Sequence, residues 1–380
     1  MRKIRQNELK FCAGLAALLI LCGSFVTACS DNPADVTSEE DTVPSGTLGE
    51  DIMVGVVYPG NSDDDTEPAY VHCLALSDAM EDLELDTDTN LRICDDISPD
   101  DTVGLQEAVE ELAVRGCDII YFLDPGYMYT VAYAAEEYPD IIFCQADGFF
   151  SNNANLINYS MKAYQVMYLE GIVAGRRSLE SEDNVIWYVG EEDPWNPGHY
   201  SCINAFALGV LSVNPDADIR TVSSADSVNG DNAYAAIAAA DGSSDEDITV
   251  PSYDWESFYT LSLSTAMNGS SALGFASDMG GNYYCGLEEG VLDTADLSDD
   301  SDVTNTTVDL ARSLMLSGEW DVFSGTALVF TEDGGEVLFE RLPRALKDKY
   351  GNDIVEAGGP SLSDAVIRGY MDYYLYVLNN

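Results

Sequence analysis

The side chains best suited to acid–base, nucleophilic or metal chemistry near neutral pH are histidine and cysteine. This chain holds 2 of the first and 9 of the second. His72 and His199 stand far apart, and no two cysteines form a CxxC pair, so no zinc site is expected. There is no Gly-x-Ser-x-Gly elbow, no His-Glu-x-x-His and no phosphate-binding Gly-Lys-Ser/Thr run. The expectation is a protein that is not an enzyme and needs no cofactor or metal. Carboxylates and aromatics remain, and both suit binding. An ionised carboxylate accepts two hydrogen bonds from adjacent hydroxyls. Two aromatic rings facing each other across a cleft can hold a flat ligand, worth about 0.5–1.5 kcal/mol per pair beyond burial. Tyr127, after Gly126, and Trp195, between Pro194 and Pro197, are the aromatics placed in loops for this; the alternative for each is packing of a large side chain.

One cysteine has a different chemistry. Arg2, Lys3, Arg5 and Lys10 form a basic region, and Phe11 to Phe25 is an apolar core too short to span a bilayer comfortably. Val26-Thr27-Ala28-Cys29 follows, resembling the bacterial lipoprotein box, in which the cysteine sulfur receives a diacylglycerol. An ordinary signal peptide cut elsewhere, or an uncleaved anchor, is the alternative. The expectation is a signal peptide at 1–28 and a lipidated, disordered tether at 29–50. The tether carries Asp31, Asp35, Glu39, Glu40, Asp41 and Glu50 with no apolar periodicity, so it cannot offset its ordering entropy. The protein is then held by its lipid anchor on the extracytoplasmic face of the cell membrane. Six cysteines remain: Cys73, Cys94, Cys117, Cys144, Cys202 and Cys285. Those in apolar strand runs read as buried thiols rather than disulfides.

The 380 residues suffice for two ordinary domains, and 46% hydrophobic content is that of a globular chain. With 16 Lys+Arg against 68 Asp+Glu, the net charge of −52 repels nucleic acid and anionic headgroups, so neither is expected as a partner.

The elements that position the binding residues alternate. Ile52 to Tyr58 is a strand, and helical spacing begins at Tyr70. Asn90 to Cys94 is a strand and Thr102 to Arg115 a helix. Ile119 to Leu123, a helix stopped by Tyr138-Pro139, and Ile141 to Cys144 form a βαβ unit. The order implies a parallel sheet with helices on both faces, binding ligands at the carboxyl ends of its strands. That places the loops Gly60–Tyr70 and Asp124–Thr130 on one rim. Tyr168 to Gly175 reads as a small-residue helix face that packs close to a sheet. A second set follows, with Val185 to Gly190 a strand, Cys202 to Ser212 a helix and Asp218 to Val222 a strand. Ala272 to Phe275 reads as a strand end with Asp278 on its loop.

Three blocks resemble the basic membrane protein (BMP) family, the substrate-binding lipoproteins of ABC transporters that include purine-nucleoside receptors. They are Gly126-Tyr127-Met128 through Tyr138-Pro139-Asp140 and Tyr168 to Gly175; Ile203 to Gly209 with Asn214-Pro215-Asp216; and Ala272 to Met279. The resemblance implies an α/β, two-lobed type I periplasmic-binding-protein fold with the ligand in a cleft between lobes. It assigns lobe one to 51–150 and 273–320, and lobe two to 151–272 and 321–380, with Trp320 to Val329 and Gly335 to Phe339 as late strands of lobe two. It further implies a monomer that binds a small polar ligand, purine nucleoside by default, and delivers it to an ABC permease and its ATPase. A surface lipoprotein that senses a ligand for signalling, or a lipid-anchored hydrolase, is the alternative.

In that family a first-loop Asp with an aromatic, and a later Asp in a Ser-Asp-Met turn, hold ribose-like hydroxyls. The matching positions are Asp64 or Asp65 with Tyr70, and Asp278. Departures are visible. Tyr129, Thr130 and Val131 stand where relatives carry an Asp, Ser201-Cys202 replaces an Arg-Gly, and 223–249 has no clear counterpart.

Overall fold

The computed structural model describes residues 52–65, 69–181, 184–189, 197–222, 233–236, 252–269, 271–294, 297–298, 300–348, 350–371 and 378–379. The signal peptide and tether expected at 1–28 and 29–50, with Cys29, lie outside these residues, as do Trp195 and nearly all of 223–249.

The chain opens with β1 (Val54–Val57), α1 (Tyr70–Asp82), the single turn α2 (Thr87–Asn90), β2 (Leu91–Cys94) and α3 (Thr102–Val114). Next come β3 (Ile119–Phe122), a 3-10 turn (Pro125–Tyr127), α4 (Met128–Glu137), β4 (Ile142–Ala146) and β5 (Leu156–Met161). The middle holds α5 (Ala163–Glu180), β6 (Val185–Val189), α6 (Pro197–Val213), β7 (Asp218–Val222) and β8 (Ala233–Ala236). Then follow β9 (Ser252–Tyr253), α7 (Glu256–Met267), α8 (Ala272–Asp278), β10 (Tyr283–Cys285), β11 (Leu292–Asp293) and α9 (Asp302–Leu316). The last elements are β12 (Thr326–Asp333), β13 (Glu336–Pro343), β14 (Leu346–Lys347), β15 (Asp353–Val355), α10 (Asp364–Tyr370) and β16 (Leu378–Asn379).

Two parallel sheets organise these elements. One has six strands in the order β10-β5-β4-β3-β1-β2, and the other has four in the order β16-β7-β6-β8. The strands β1 and β3 are buried on both faces because each face has its own cover. Val54, Val56 and Tyr121 join one core, and Val57, Ile120 and Phe122 join the other with α3 and α4. Asp101 starts α3 by accepting the Gly104 N–H at 2.9 Å, which satisfies one orphan donor of the first turn. The hairpin β12–β13 is antiparallel, an addition to the two parallel sheets.

Three sequence expectations change. Ala272 to Phe275 is not a strand end, because the segment coils into α8 and buries Phe275 and Ala276 while Leu273 faces solvent. The strand beside β5 is instead β10, five residues later. The small-residue face of α5 packs on α6 rather than on a sheet. A Cβ on Gly171 would lie 2.2 Å from the Phe206 carbonyl oxygen, and one on Gly209 would lie 2.0 Å from that of Tyr168. Finally, α7 packs against α1 on the six-stranded sheet, with Phe258 stacked on Tyr159 at 4.0 Å, whereas α9 packs on α5. These two helices therefore sit across the boundaries expected at 272/273 and 320/321, because tertiary contacts rather than chain order recruit them.

All six described cysteines are free, with Cys117, Cys144, Cys202 and Cys285 buried and Cys73 and Cys94 half-buried. No helix among the described residues is long and apolar enough to cross a membrane.

Candidate functional site

The carboxyl ends of the six-stranded sheet form one rim, and the first two loops on it are neighbours by register. Val57 pairs with Phe122, so the loops leaving β1 and β3 start side by side where the strand order reverses. Such a switch point is the usual ligand site of an open parallel sheet. Asp64 is half-buried here and Asp65 exposed, in a turn closed by Asp64 N–H donating to the Asn61 carbonyl at 3.0 Å. Tyr70 is half-buried at the start of α1. Asp124 spends one oxygen on the Gly126 N–H at 2.7 Å.

Tyr127 reaches the same neighbourhood but turns away from it. Its ring is fully buried against Phe122, and its hydroxyl donates to the Ile97 carbonyl. It presents no face to a ligand; loop aromatics can also be core residues, and this one is. Asp278 is exposed at the end of α8, and the Ala276 N–H donates to the Ala154 carbonyl at 2.8 Å, just before β5 begins. It thus lies at the amino-terminal edge of the sheet, opposite the rim, because a helix replaced the strand that would have carried it there.

The densest polar group on the rim comes from residues the sequence did not single out. Asp147 follows β4 in a left-handed backbone conformation (φ 53°). Its carboxylate accepts from the Ser160 hydroxyl at 2.7 Å and from a guanidinium nitrogen of Arg368 on α10. Arg368 also donates to the Met161 carbonyl at 3.3 Å. Lys162, the first residue after β5, pairs with Asp364 at 3.2 Å, and the Tyr164 hydroxyl donates to the other Asp364 oxygen at 3.2 Å. Burial pushes the Asp321 carboxyl up, with Asp364 adding to the rise and Lys162 opposing it, so Asp321 belongs to the same field. A signal for Asp147 existed in the sequence: it is an Asp-Gly at the carboxyl end of a parallel strand. Arg368 carried none, since nothing local ties it to that strand.

The group alternates donors and acceptors. Arg368, Lys162, Ser160 and Tyr164 donate, and Asp147 and Asp364 accept. Three buried groups nearby keep unused capacity, with no partner among the described residues: Arg368 Nε, Gln145 Oε1 and Asn158 Oδ1. Such a mixture suits hydroxyl-rich ligands, because each hydroxyl both gives and takes a hydrogen bond. Among the described residues, His72, Cys202 and Cys285 are set otherwise. Burial holds the Cys202 and Cys285 thiols up at about 12, so they stay protonated at neutral pH. Burial lowers His72 to about 4, where it lies against Trp255 and receives or gives a 3.0 Å hydrogen bond with Tyr259. Among the described residues no three His, Cys, Asp or Glu side chains gather as metal ligands.

The chain is similar to several known proteins. The family model described as ABC transporter substrate-binding protein PnrA-like, Bmp, matches residues 70–250. A Haloferax volcanii protein, named provisionally as an ABC transporter glucose-binding protein, is 26% identical over 284 residues, 65% of this chain and 68% of its own. A purine-binding protein of Brucella abortus is 27% identical over 117 residues, 31% of this chain and 32% of its own. Among solved structures, a solute-binding protein of an ABC transporter system from Aeropyrum pernix superposes with a TM-score of 0.52 at 13% identity. It covers 74% of this chain and 94% of that one, a likeness of fold.

Proposed function

We propose that this chain is an ABC transporter substrate-binding protein of the Bmp family and the extracytoplasmic receptor of an importer. It is lipid-anchored at Cys29, closes on a small hydroxyl-rich solute and hands it to a permease. The single observation that carries the reading is the family-model match over residues 70–250. The rim chemistry supports it: Asp147 and Asp364 as acceptors, with Arg368, Lys162 and Ser160 as donors, match a diol better than an apolar or highly charged solute. Asp64, Asp65 and Tyr70 contribute from the adjoining loop.

Purine nucleoside is the first ligand class, following the family resemblance and the purine-binding relative. A hexose is the second, favoured by the glucose-binding name of the relative that aligns with more of this chain. Both classes present adjacent hydroxyls, so the carboxylates serve either. Calorimetry with adenosine, guanosine and glucose on the purified receptor separates them. Saturable nucleoside binding is expected; heat from glucose alone would move the assignment to sugars, and silence from all three would overturn both.

The anchor has its own test. Metabolic labelling with a clickable fatty acid should mark the wild type and leave Cys29→Ser unlabelled. A labelled variant would show that another residue, or none of this segment, carries the lipid.

A further inference from the structure

Arg368 and Asp147 lie on opposite sides of the boundary between the two sheets. The helix α10, which carries Arg368, packs on α6, and α6 in turn covers the four-stranded sheet through Phe206 against Tyr188 of β6, with ring centroids 5.3 Å apart. Ile367 and Met371, which flank Arg368, are buried at 0% and 3% exposure, so α10 is firmly seated. Both acceptors of Arg368, the Asp147 carboxylate and the Met161 carbonyl, belong instead to the carboxyl edge of the six-stranded sheet. The chain crosses between the sheets just after Met161, where the Lys162 N–H donates to the Cys285 carbonyl at 2.6 Å. Asp364, one turn before Arg368, grips that crossing through Lys162 and Tyr164.

We propose that the Arg368–Asp147 pair is a latch that holds the two lobes together without any ligand. The inference depends on the placement of the sheets and not on what the cleft binds. Arg368 is 9% exposed, so water competes poorly for its guanidinium and salt screens the pair weakly. The pair joins groups carried by different sheets, so rotation at the crossing stretches it, while Asp364 and the second acceptor of Arg368, the Met161 carbonyl, stay beside the pivot. Arg368 is therefore a positioning residue: it sets the resting angle of the cleft, and a ligand that recruits Asp147 must take the carboxylate from it. Removing it shifts the unliganded equilibrium toward open forms, because a contact made in one state alone biases the population toward that state.

Small-angle scattering on ligand-stripped protein tests the latch without knowledge of the ligand. Arg368→Met should raise the radius of gyration and speed amide exchange around Asp147 and Ser160. The charge swap Asp147→Arg with Arg368→Asp should return the radius toward the wild-type value, which a merely structural loss would not do. A buried charge left unpaired can unfold a protein. If Arg368→Met shows no cooperative melt, Asp147→Asn with Arg368→Met removes both charges and keeps the bulk. A folded variant of either kind with the wild-type radius would overturn the latch, and so would a swap that stays as open as the single variant.

Discussion

His72 stands in a cage of aromatics, with Tyr159, Trp255 and Tyr259 all within about ring-contact range and Tyr259 hydrogen-bonded to its Nδ1 at 3.0 Å. Burial lowers its pKa from 6.5 to about 4, and the nearby charge of Asp147 only partly restores it. Between those two values the unfolded chain binds a proton at this position that the folded one refuses. Stability is thus complete above pH 6.5 and falls as pH drops toward 4. Between pH 7 and pH 5 the loss from this residue alone should be about 2 kcal/mol. Urea unfolding of the wild type and His72→Gln at both pH values isolates it, since every other group titrates in both proteins. Equal pH dependence in the two would show that His72 is not held neutral. At this scale the sequence was only partly legible. Asp64, Asp65 and Tyr70 do sit on the rim, while Tyr127 and Asp278 do not, because residue type does not reveal which way a loop side chain turns.

The pair α5 and α6 shows what an element carries beyond its own propensity. Their axes approach until backbone meets backbone, at Gly171 against Phe206 and at Gly209 against Tyr168, and no side chain fits between. Gly209→Ala should therefore cost about 3 kcal/mol, since the added methyl must push two helices apart. Gly116→Ala is the control, for its Cβ would meet nothing within 4 Å, and the strain of its left-handed backbone (φ 80°) should cost about 1–2 kcal/mol. Thermal melts of both variants rank the two effects. A Gly209→Ala melt no lower than that of Gly116→Ala would mean that the helices have slack. The run of small residues was readable in the sequence, but its partner was not. The same limit explains α8: Ala272 to Phe275 is apolar enough for a strand, yet seven residues pair with no neighbouring strand and coil instead. The strand β5 escaped notice for the opposite reason, since Asn158 and Ser160 interrupt its apolar pattern although all six of its residues are buried.

For the molecule as a whole the dominant quantity is charge. Its 16 basic residues cannot neutralise 68 acids, and the net −52 makes the folded state repel itself. Screening relieves that repulsion, with a Debye length of about 10 Å at 0.1 M falling to about 3 Å at 1 M. Potassium chloride over that range should raise the melting midpoint, and chloride avoids the added hydrophobic strengthening of sulfate. A midpoint that stays flat or falls would mean that the acids are spaced widely enough not to sense one another.

The sequence by itself determined the parallel α/β class, the first four strands and their helices, the acidic surface and the family resemblance. Each of these follows from composition or from patterns repeated within a few residues, where the period of the chain and the sign of the charge act locally. The tertiary structure alone decided the partner of the glycine face, the side taken by α7 and α9, and the make-up of the rim. Asp147 and Arg368 are 221 positions apart, and Tyr164 and Asp364 are 200 apart. No local period connects such residues. They meet because α10, late in the chain, lies beside the carboxyl ends of β4 and β5, and one strand misread as a helix, or the reverse, moves a carboxylate such as Asp278 from one rim of that sheet to the other.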